Sequence, residues 1–251
     1  MKLYLASERS MHKYLKKCIT GGIPKDLKLY VLESFYYINE NFIKLLPYLD
    51  DVLIDSGAFT FMQNKKTTNI NWDDYVEKYG NFIKKYKIKK YFELDIDKIV
   101  GYEEVKRLRN KLENIVGWKC IPVFHRNRGK DEFLKLIKEY NYIALGGIAI
   151  KDINRTEYKY FKWFIDEAHK KNCKIHGLGF TNLEGIKKYH FDSVDSTTWV
   201  SGNRFGKVYK FNGKNIIIYN KLPGTRMKTR ETAINNFIEW VKFSNYADKH
   251  L

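Results

Sequence analysis

Carboxylate side chains follow three of the apolar stretches in this sequence that have the character of β-strands. Asp195 lies at the end of the alternating stretch 191–196, and Asp55 and Asp95 end two earlier stretches, with Asp97 close behind. A carboxylate at such a position can act as a nucleophile or transfer protons, and two together can divide these tasks. The alternative for each is that the side chain only stabilises a turn.

Glycines and one aromatic–histidine pair end three further strand-like stretches. These residues are Gly146 and Gly147, Gly177 and Gly179, and Phe124 and His125. Because glycine has no side chain, a flat ligand can approach the backbone closely at these positions. A Gly-Gly pair after a strand can also form only a tight turn or a phosphate site. Several such ends on one rim favour a ligand site there.

Eight short apolar stretches alternate with amphipathic helical stretches, and this order predicts a parallel sheet in an α/β fold. We predict the strands at residues 2–6, 27–33, 51–59, 90–97, 119–125, 142–149, 174–180 and 191–196. Eight such units fit a (β/α)8 TIM barrel over residues 1–200, with the chemistry at the C-terminal ends of the strands. A doubly wound open sheet is the alternative, but its GxGxxG turn is absent.

The last part of the chain, residues 201–251, predicts a small extension packed on the barrel. Val208 to Tyr219 have the pattern of a β-hairpin with its turn at Asn212-Gly213, and residues 229–245 have the pattern of an amphipathic closing helix.

The composition gives a strongly basic chain, with 46 Lys and Arg residues against 29 Asp and Glu residues and a net charge of +17. Such a surplus favours a polyanionic partner, most simply nucleic acid, although an AT-rich genome also produces many lysines. No apolar run is long enough to span a membrane, and the N-terminus does not resemble a signal peptide. The widely spaced Cys18, Cys120 and Cys173 predict reduced thiols and a cytoplasmic location.

Five segments between residues 51 and 199 resemble motifs of the tRNA-guanine transglycosylase family and occur in the family's order. Asp55-Ser56-Gly57-Ala58-Phe59 resembles its Asp-Ser-Gly-Gly-aromatic motif, and Leu94-Asp95-Ile96 resembles an archaeal Leu-Asp-Ile segment. The run from Tyr142 to Ala149 is similar to the family's Gly-Gly-Leu-Ala strand, and His176-Gly177-Leu178-Gly179 is similar to its Gly-x-Gly strand. The run from Phe191 to Ser196 is similar to the segment that carries the family's nucleophile.

The resemblance implies exchange of a guanine base through a covalent glycosyl-enzyme. It assigns Asp195 as the nucleophile, with Asp192 as a competing candidate, and Asp55 as the group that transfers protons. Asp95 would accept hydrogen bonds from the guanine edge, and Phe59 and His176 would sandwich the base. The predicted substrate-binding residues are Asp95, Gly146, Gly147, Ile148, Phe59, His176 and Phe124. Core packing is the alternative for Phe59 and His176, and a solvated turn for Asp97.

Two departures from the family pattern indicate a particular branch. No cysteine follows Cys173, so the family's structural zinc set is missing and we predict no metal and no cofactor. Val123-Phe124-His125 stands where the family has Val-Gln-Gly. A short, zinc-less, basic chain resembles the phage enzymes that place 7-deazaguanine derivatives in DNA. A tRNA-guanine transglycosylase and a non-catalytic nucleic-acid-binding barrel are the alternatives.

The predicted partners are DNA, or tRNA in the alternative, and a 7-deazaguanine base as the small-molecule substrate, with no membrane. Duplex DNA hides the reacting atoms, so the target guanine must be flipped out. Basic side chains beyond the strand ends and in the C-terminal extension would hold the backbone, although each could equally be a solvated charge. They are Arg126, Arg128, Arg204, Lys207, Arg226, Lys228 and Arg230.

Overall fold

The computed structural model describes residues 1–7, 12, 15–16, 19, 23–24, 26–57, 60–61, 70–148, 152–222, 224 and 228–251, without the side chains of residues 201, 203 and 204. From β2 to β8 the described strands alternate with helices along the chain, as the sequence predicts for a TIM-barrel-like α/β fold. Two compact units are present. The first comprises Met1–Leu32, Ile38–Asp51 and Gly177–Leu251, and the second comprises Glu33–Tyr37 and Val52–His176.

The first unit contains the first and last strands of the predicted barrel. Its elements are β1 (Lys2–Ala6), the start of β2 (Tyr30–Ser34), α1 (Glu40–Ile43), α7 (Leu183–Lys188), β8 (Ser193–Ser196) and α8 (Thr198–Arg204). β1 pairs in parallel with both β2 and β8, with Leu5 opposite Val31 and Tyr4 opposite Asp195. Leu3, Tyr4 and Leu5 are fully or almost fully buried, as expected for a parallel strand covered on both faces.

The same unit holds the C-terminal hairpin and helix that the sequence predicts. These are β9 (Lys207–Phe211), β10 (Ile216–Asn220) and α9 (Thr229–His250). The α9 helix packs on β1, where the Ser244 hydroxyl donates a 2.7 Å hydrogen bond to the carbonyl of Leu3. Trp240 and Phe243 of α9 are also buried. The hairpin and helix therefore belong to the compact unit that contains β1.

The second unit contains strands β3 to β7 and the helices that alternate with them. Its elements are β3 (Asp51–Asp55) from Val52 onward, α2 (Trp72–Lys85), β4 (Lys90–Tyr91), α3 (Asp97–Val100), α4 (Tyr102–Val116), β5 (Val123–Phe124), α5 (Gly129–Glu139), β6 (Tyr142–Leu145), α6 (Phe161–Lys170) and β7 (Lys174–Gly177) up to His176. Ile54 lies opposite Tyr91, and Val123 lies opposite Ala144, both in parallel. Phe92 and Ile121 form a further parallel bridge.

Capping residues fix the ends of the helices in this unit. Asn71 accepts hydrogen bonds from the N–H groups of Asp73 and Asp74 at 3.1 and 3.2 Å, so α2 begins at the predicted asparagine cap. Gly117 adopts φ of +93° directly after α4, the left-handed conformation that ends many helices. The cap at Asn71 and the turn at Gly117 thus define the start of α2 and the end of α4.

No helix in the described parts of the chain is both long enough and apolar enough to cross a bilayer. Cys120 and Cys173 are buried free thiols, and Cys18 lies outside the described residues.

Candidate functional site

The ends of β4 and β5 bring an acidic and a basic side chain into contact. Nε2 of His125 lies 2.8 Å from Oδ1 and 2.9 Å from Oδ2 of Asp95. Both residues are buried, with 8% of Asp95 and 7% of His125 exposed. Because side chains alternate along a strand, His125 points to the opposite side from Phe124. The structure therefore places His125 beside the carboxylate that the sequence assigns to base recognition.

The charge state of His125 follows from this contact. Burial alone would lower the pKa of the imidazole, but the hydrogen bond to Asp95 and its negative charge outweigh burial and raise the pKa above its usual value of 6.5. The contact with Asp95 therefore favours the protonated form of the His125 imidazole.

A second cation, Arg128, joins the same cluster. Its Nη2 lies 3.0 Å from Oδ2 of Asp97 and 3.6 Å from Oδ1 of Asp95. Its Nη1 donates a 2.5 Å hydrogen bond to the carbonyl of Val123. The guanidinium carbon lies 4.1 Å from the centre of the Tyr102 ring, and only 3% of the side chain is exposed. Asp97 is thus an ion-paired residue at the start of α3 rather than a solvated turn residue.

Asp95, Asp97 and His125 together offer two oxygen atoms and one nitrogen atom within 4.8 Å of one another. Such a donor set suits a divalent metal ion. The Arg128 guanidinium, however, already contacts both carboxylates and supplies a positive charge of the protein itself to them. The cluster therefore fits a protein-only charge network better than a metal centre.

A buried ion pair lies next to this cluster. Nε of Arg109 lies 2.8 Å from Oε2 of Glu93, and their side chains are 5% and 0% exposed. The backbone N–H of Val123 donates a 2.7 Å hydrogen bond to Oε1 of Glu93. Burial raises the pKa of Glu93, while Arg109 and Arg128 act in the opposite direction. The arrangement ties α4 to the strand ends that carry Asp95 and His125.

A cavity of about 200 Å³ opens beside His125. Its lining includes His125, Asn127, Gly146, Gly147 and Asp152. A Cβ atom on Gly146 would lie 2.8 Å from Cε1 of His125 and 2.8 Å from Cγ1 of Val123, so only glycine fits there. Gly147 has φ of +88°, a conformation that other residues adopt at a cost. The cavity can therefore admit a small molecule next to His125 and the two glycines.

Other predicted residues of the second unit lie outside the lining of this cavity. Asp55 accepts a 3.0 Å hydrogen bond from the N–H of Gly57, the turn-stabilising role that was its alternative. Phe124 packs in the core, with its ring centre 5.1 Å from that of Phe133. His176 is fully buried and packs 5.2 Å from the ring of Phe92.

Ile148 follows the glycine pair and is buried, with 7% exposed. Phe59 lies outside the described residues. Of the predicted base-binding set, the structure brings together Asp95, Gly146 and Gly147 through His125, while Phe124 and His176 pack against other aromatic rings.

In the first unit, Asp195 is the third residue of β8 and is 7% exposed. Its Oδ1 accepts a 2.6 Å hydrogen bond from the N–H of Gly179, which belongs to the loop after β7. The bond therefore crosses to another loop and is not a cap on the turn that follows Asp195. Asp192, by contrast, precedes β8, at the end of the strand where TIM barrels do not place their chemistry.

The predicted nucleic-acid contacts differ in their surroundings. Arg126 is half exposed and contacts Glu157, whereas the buried Arg128 is committed to Asp97. Lys207 is partly exposed, and Arg230 is exposed. Nζ of Lys228 lies 3.5 Å from Oε1 of Glu231 and remains largely exposed. Arg226 and the side chain of Arg204 lie outside the described residues.

Sequence reasoning names His125 at a strand end but assigns the binding role to Phe124, and it passes over Glu93 and Arg109. One signal could have found Arg109, because it shares the apolar face of α4 with Val105, Leu108 and Leu112. A charged residue on that face is buried, and a buried charge requires a partner. Glu93 in the apolar run of the fourth strand is the matching charge.

No protein-family model matches the sequence, and no curated protein matches it. Among solved structures, the chain is similar to a candidate fructose-1,6-biphosphate aldolase from Coccidioides immitis, with 9% identity and a TM-score of 0.53 over 99% of this chain and 87% of the other. It is also similar to the carboxyl transferase domain of Rhizobium etli pyruvate carboxylase, with 13% identity and a TM-score of 0.50 over 98% of this chain and 49% of the other. At these identities the likeness shows the fold alone, a TIM-barrel-like α/β fold shared with enzymes.

Proposed function

We propose that this protein is a DNA-guanine transglycosylase, which exchanges guanine in DNA for a 7-deazaguanine derivative. The observation that carries the proposal is the environment of Asp195. The carboxylate is buried near the end of β8 and is held by the N–H of Gly179 at 2.6 Å. A carboxylate fixed in this way has a set orientation, which a nucleophile needs.

The proposed reaction has two displacement steps at C1′ of the target nucleotide. The Asp195 carboxylate attacks C1′ while the bond from C1′ to guanine N9 breaks, and Asp55 donates a proton to the departing base. The ring nitrogen of the incoming base then attacks C1′ and releases the carboxylate, and its proton passes back to Asp55. Two inversions retain the configuration at C1′, and the proton on Asp55 is restored.

Base recognition is assigned to the second unit. An ionised carboxylate can accept about four hydrogen bonds, so Asp95 can hold His125 and still accept from the N1–H and N2–H2 groups of guanine. Gly146, Gly147 and Ile148 would supply backbone groups to the base edge, because a flat ligand can approach the backbone closely at the two glycines. Stacking by Phe59 and His176 remains a prediction from the resemblance.

The partner is assigned from charge. A net charge of +17 suits a polyanion, and contacts between cationic side chains and phosphates would offset the cost of flipping a base, a few kcal/mol. Within the described residues we assign these contacts to Lys207, Lys228 and Arg230. Arg126 is a weaker candidate because it already contacts Glu157. Arg128 is left out because its guanidinium is buried against Asp97.

The test is incubation with a labelled 7-deazaguanine base and either duplex DNA or tRNA. We expect label in DNA and a covalent protein–DNA adduct with the wild type, and neither with Asp195→Asn. Asp192→Asn is the matched control, because it removes the competing carboxylate before β8, and it should keep both signals. Label in tRNA alone would favour the tRNA enzyme. Equal DNA binding by wild type and Asp195→Asn, with no label or adduct from either, would favour a non-catalytic barrel.

A further inference from the structure

The two strands of the C-terminal hairpin differ in whether the main-chain groups on their outer edges have hydrogen-bond partners. On β9, the N–H of Tyr209 donates to Oδ1 of Asn236 at 2.9 Å, and the N–H of Phe211 donates to Oε2 of Glu239 at 2.6 Å. Nδ2 of Asn236 donates in turn to the carbonyl of Lys207 at 3.0 Å. Side chains of α9 therefore satisfy the outer edge of β9.

The outer edge of β10 has no such cover in the described part of the chain. Lys221 donates to the carbonyl of Gly206 at 2.8 Å, and Asn215 accepts from the N–H of Asn212 at 3.1 Å, so odd-numbered residues face β9. By the alternation of antiparallel pairs, the N–H and C=O groups of Ile216, Ile218 and Asn220 face outward. Among the described residues, the hairpin is a two-stranded sheet with no third strand.

Three consecutive side chains of β10 are largely apolar and exposed. Ile217, Ile218 and Tyr219 are 37%, 47% and 50% exposed, and only Ile216 is buried. Free edges of monomeric proteins are normally protected by a charge, a proline or a bulge. The segment Ile216–Asn220 contains neither a charged residue nor a proline. β10 therefore has the features of a strand that pairs with another strand.

We propose that β10 pairs with β10 of a second copy of this chain, antiparallel and about a twofold axis at Ile218. This register overlaps all of β10 and sets Ile216 opposite Asn220 of the other copy, so that outward-facing groups meet and form about six main-chain hydrogen bonds. It also sets Ile217 opposite Tyr219, which buries exposed apolar surface. The proposal does not depend on the base-exchange reaction.

Charge explains why a copy of the same strand fits. Lys214 and Lys221 flank β10 at its two ends. With Ile218 on the axis, Lys214 lies opposite Leu222 and Lys221 lies opposite Asn215. Shifting one strand by a single residue along the other would place Lys214 opposite Lys221. That register would also pair the outward-facing backbone groups of one strand with the inward-facing groups of the other, so the hydrogen-bond ladder could not form. Two chains of net charge +17 can thus pair along the neutral strand β10 without placing a lysine of one copy opposite a lysine of the other.

The experiment measures the mass of the full chain in solution by sedimentation at protein concentrations up to about 100 µM, a range suited to a small interface. We expect a reversible dimer that strengthens with added KCl, because salt screens the repulsion of two basic chains. Ile218→Lys should abolish the dimer, since it places two lysines on the axis. Ile99→Lys, at an isoleucine 43% exposed in α3, is the matched control and should leave the dimer intact.

A cysteine placed on the axis tests the register and does not depend on the lysine variant. Residues that face each other in a hydrogen-bonded antiparallel pair have Cα atoms about 5.5 Å apart, within the disulfide range of about 4.4–6.8 Å. Mild oxidation should link Ile218→Cys to itself and leave Ile217→Cys and the wild type unlinked. A monomer at every concentration, a dimer that survives Ile218→Lys, or linkage of Ile217→Cys alone would overturn the proposal.

Discussion

The imidazole of His125 and the carboxylate of Asp95 are in direct contact, with Nε2 2.8 Å from Oδ1 and 2.9 Å from Oδ2. The two residues come from the ends of β5 and β4 and share a buried position beside the cavity. In the proposed reaction, Asp95 presents its remaining acceptor positions to the base, so His125 fixes the direction in which they point. The pair also makes the stability of the site depend on pH.

We predict that His125 stabilises the fold mainly at acidic pH. Its pKa is raised in the folded protein, so its contribution is fully present below the usual value near 6.5 and is lost as pH rises through the raised pKa. Urea unfolding from pH 5.5 to 9, a range chosen around the usual histidine pKa, should show His125→Gln about 1.5–3 kcal/mol less stable than wild type at the acidic end, with the difference shrinking toward the basic end.

The control for this pH series is His190→Gln, at an exposed histidine. The pH dependence that belongs to the pair is the part that His125→Gln removes and His190→Gln leaves. A stability difference that grew with pH would show that His125 is neutral in the folded protein, and the assignment of an ion pair would be wrong.

The sequence predicts the order of the elements better than their contacts. Eight apolar stretches separated by amphipathic helices specify alternating strands and helices, and each of the eight has its counterpart in β1–β8. The fourth strand, however, is predicted over 90–97 and covers only Lys90–Tyr91. Beyond it, Phe92 makes a single bridge to Ile121, and Asp97 already begins α3. Asp95 and Asp97 lie beyond this bridge and bond instead to side chains of other elements.

For the fifth strand, the sequence could not predict which side chains point toward the candidate site. In a strand buried on both faces, the apolar run contains no alternation that separates one side from the other. The sequence therefore places Phe124 at the site, whereas the residue packs against Phe133 and leaves His125 to face Asp95. The pairing of Glu93 with Arg109 likewise depends on how α4 packs on the strands, which sequence spacing alone does not specify.

We predict that Arg109→Met destabilises the fold by about 3–5 kcal/mol, because it leaves the fully buried carboxylate of Glu93 without its nearest cation. Burial already raises the pKa of Glu93, so the loss should be smallest at acidic pH, where the carboxyl group binds a proton, and should grow as pH rises. The double variant Glu93→Gln with Arg109→Met should recover part of the stability in urea unfolding.

The matched control is Arg107→Met on the same helix. Arg107 pairs with Asp73 and Glu104, but its side chain is 48% exposed and solvent screens the pairs, so the change should cost much less than Arg109→Met. Equal losses for Arg107→Met and Arg109→Met would mean that the Glu93–Arg109 pair contributes no more than a surface ion pair.

We predict that Gly146→Ala and Gly147→Ala both destabilise the protein but differ in their effect on His125. A Cβ atom on Gly146 would lie 2.8 Å from Cε1 of His125, so the ring must move, at a cost of about 1–3 kcal/mol. At Gly147 the nearest atom is 3.4 Å away, and the cost of about 1–2 kcal/mol comes from its positive φ. Proton NMR of the histidine Hε1 signals should show a shift of His125 in the first variant only. A shift in both variants, or in neither, would mean that Gly146 does not hold the His125 ring in place.

We predict that the exposed cationic residues, and not the buried one, determine the salt dependence of DNA binding. Each phosphate contact contributes about 0.9 to the slope of log K against log salt concentration, so Arg230→Ala and Lys228→Ala should each lower the slope by about one if they hold phosphates. Lys44→Ala, at an exposed lysine near Glu40, is the control for the loss of one charge. Arg128→Ala should instead lower the melting temperature, because the carboxylates of Asp95 and Asp97 lose the cation that both contact and then repel each other. If Arg128→Ala lowers the slope in a fully folded protein while Arg230→Ala does not, the phosphate contacts lie near the strand ends rather than in the C-terminal extension.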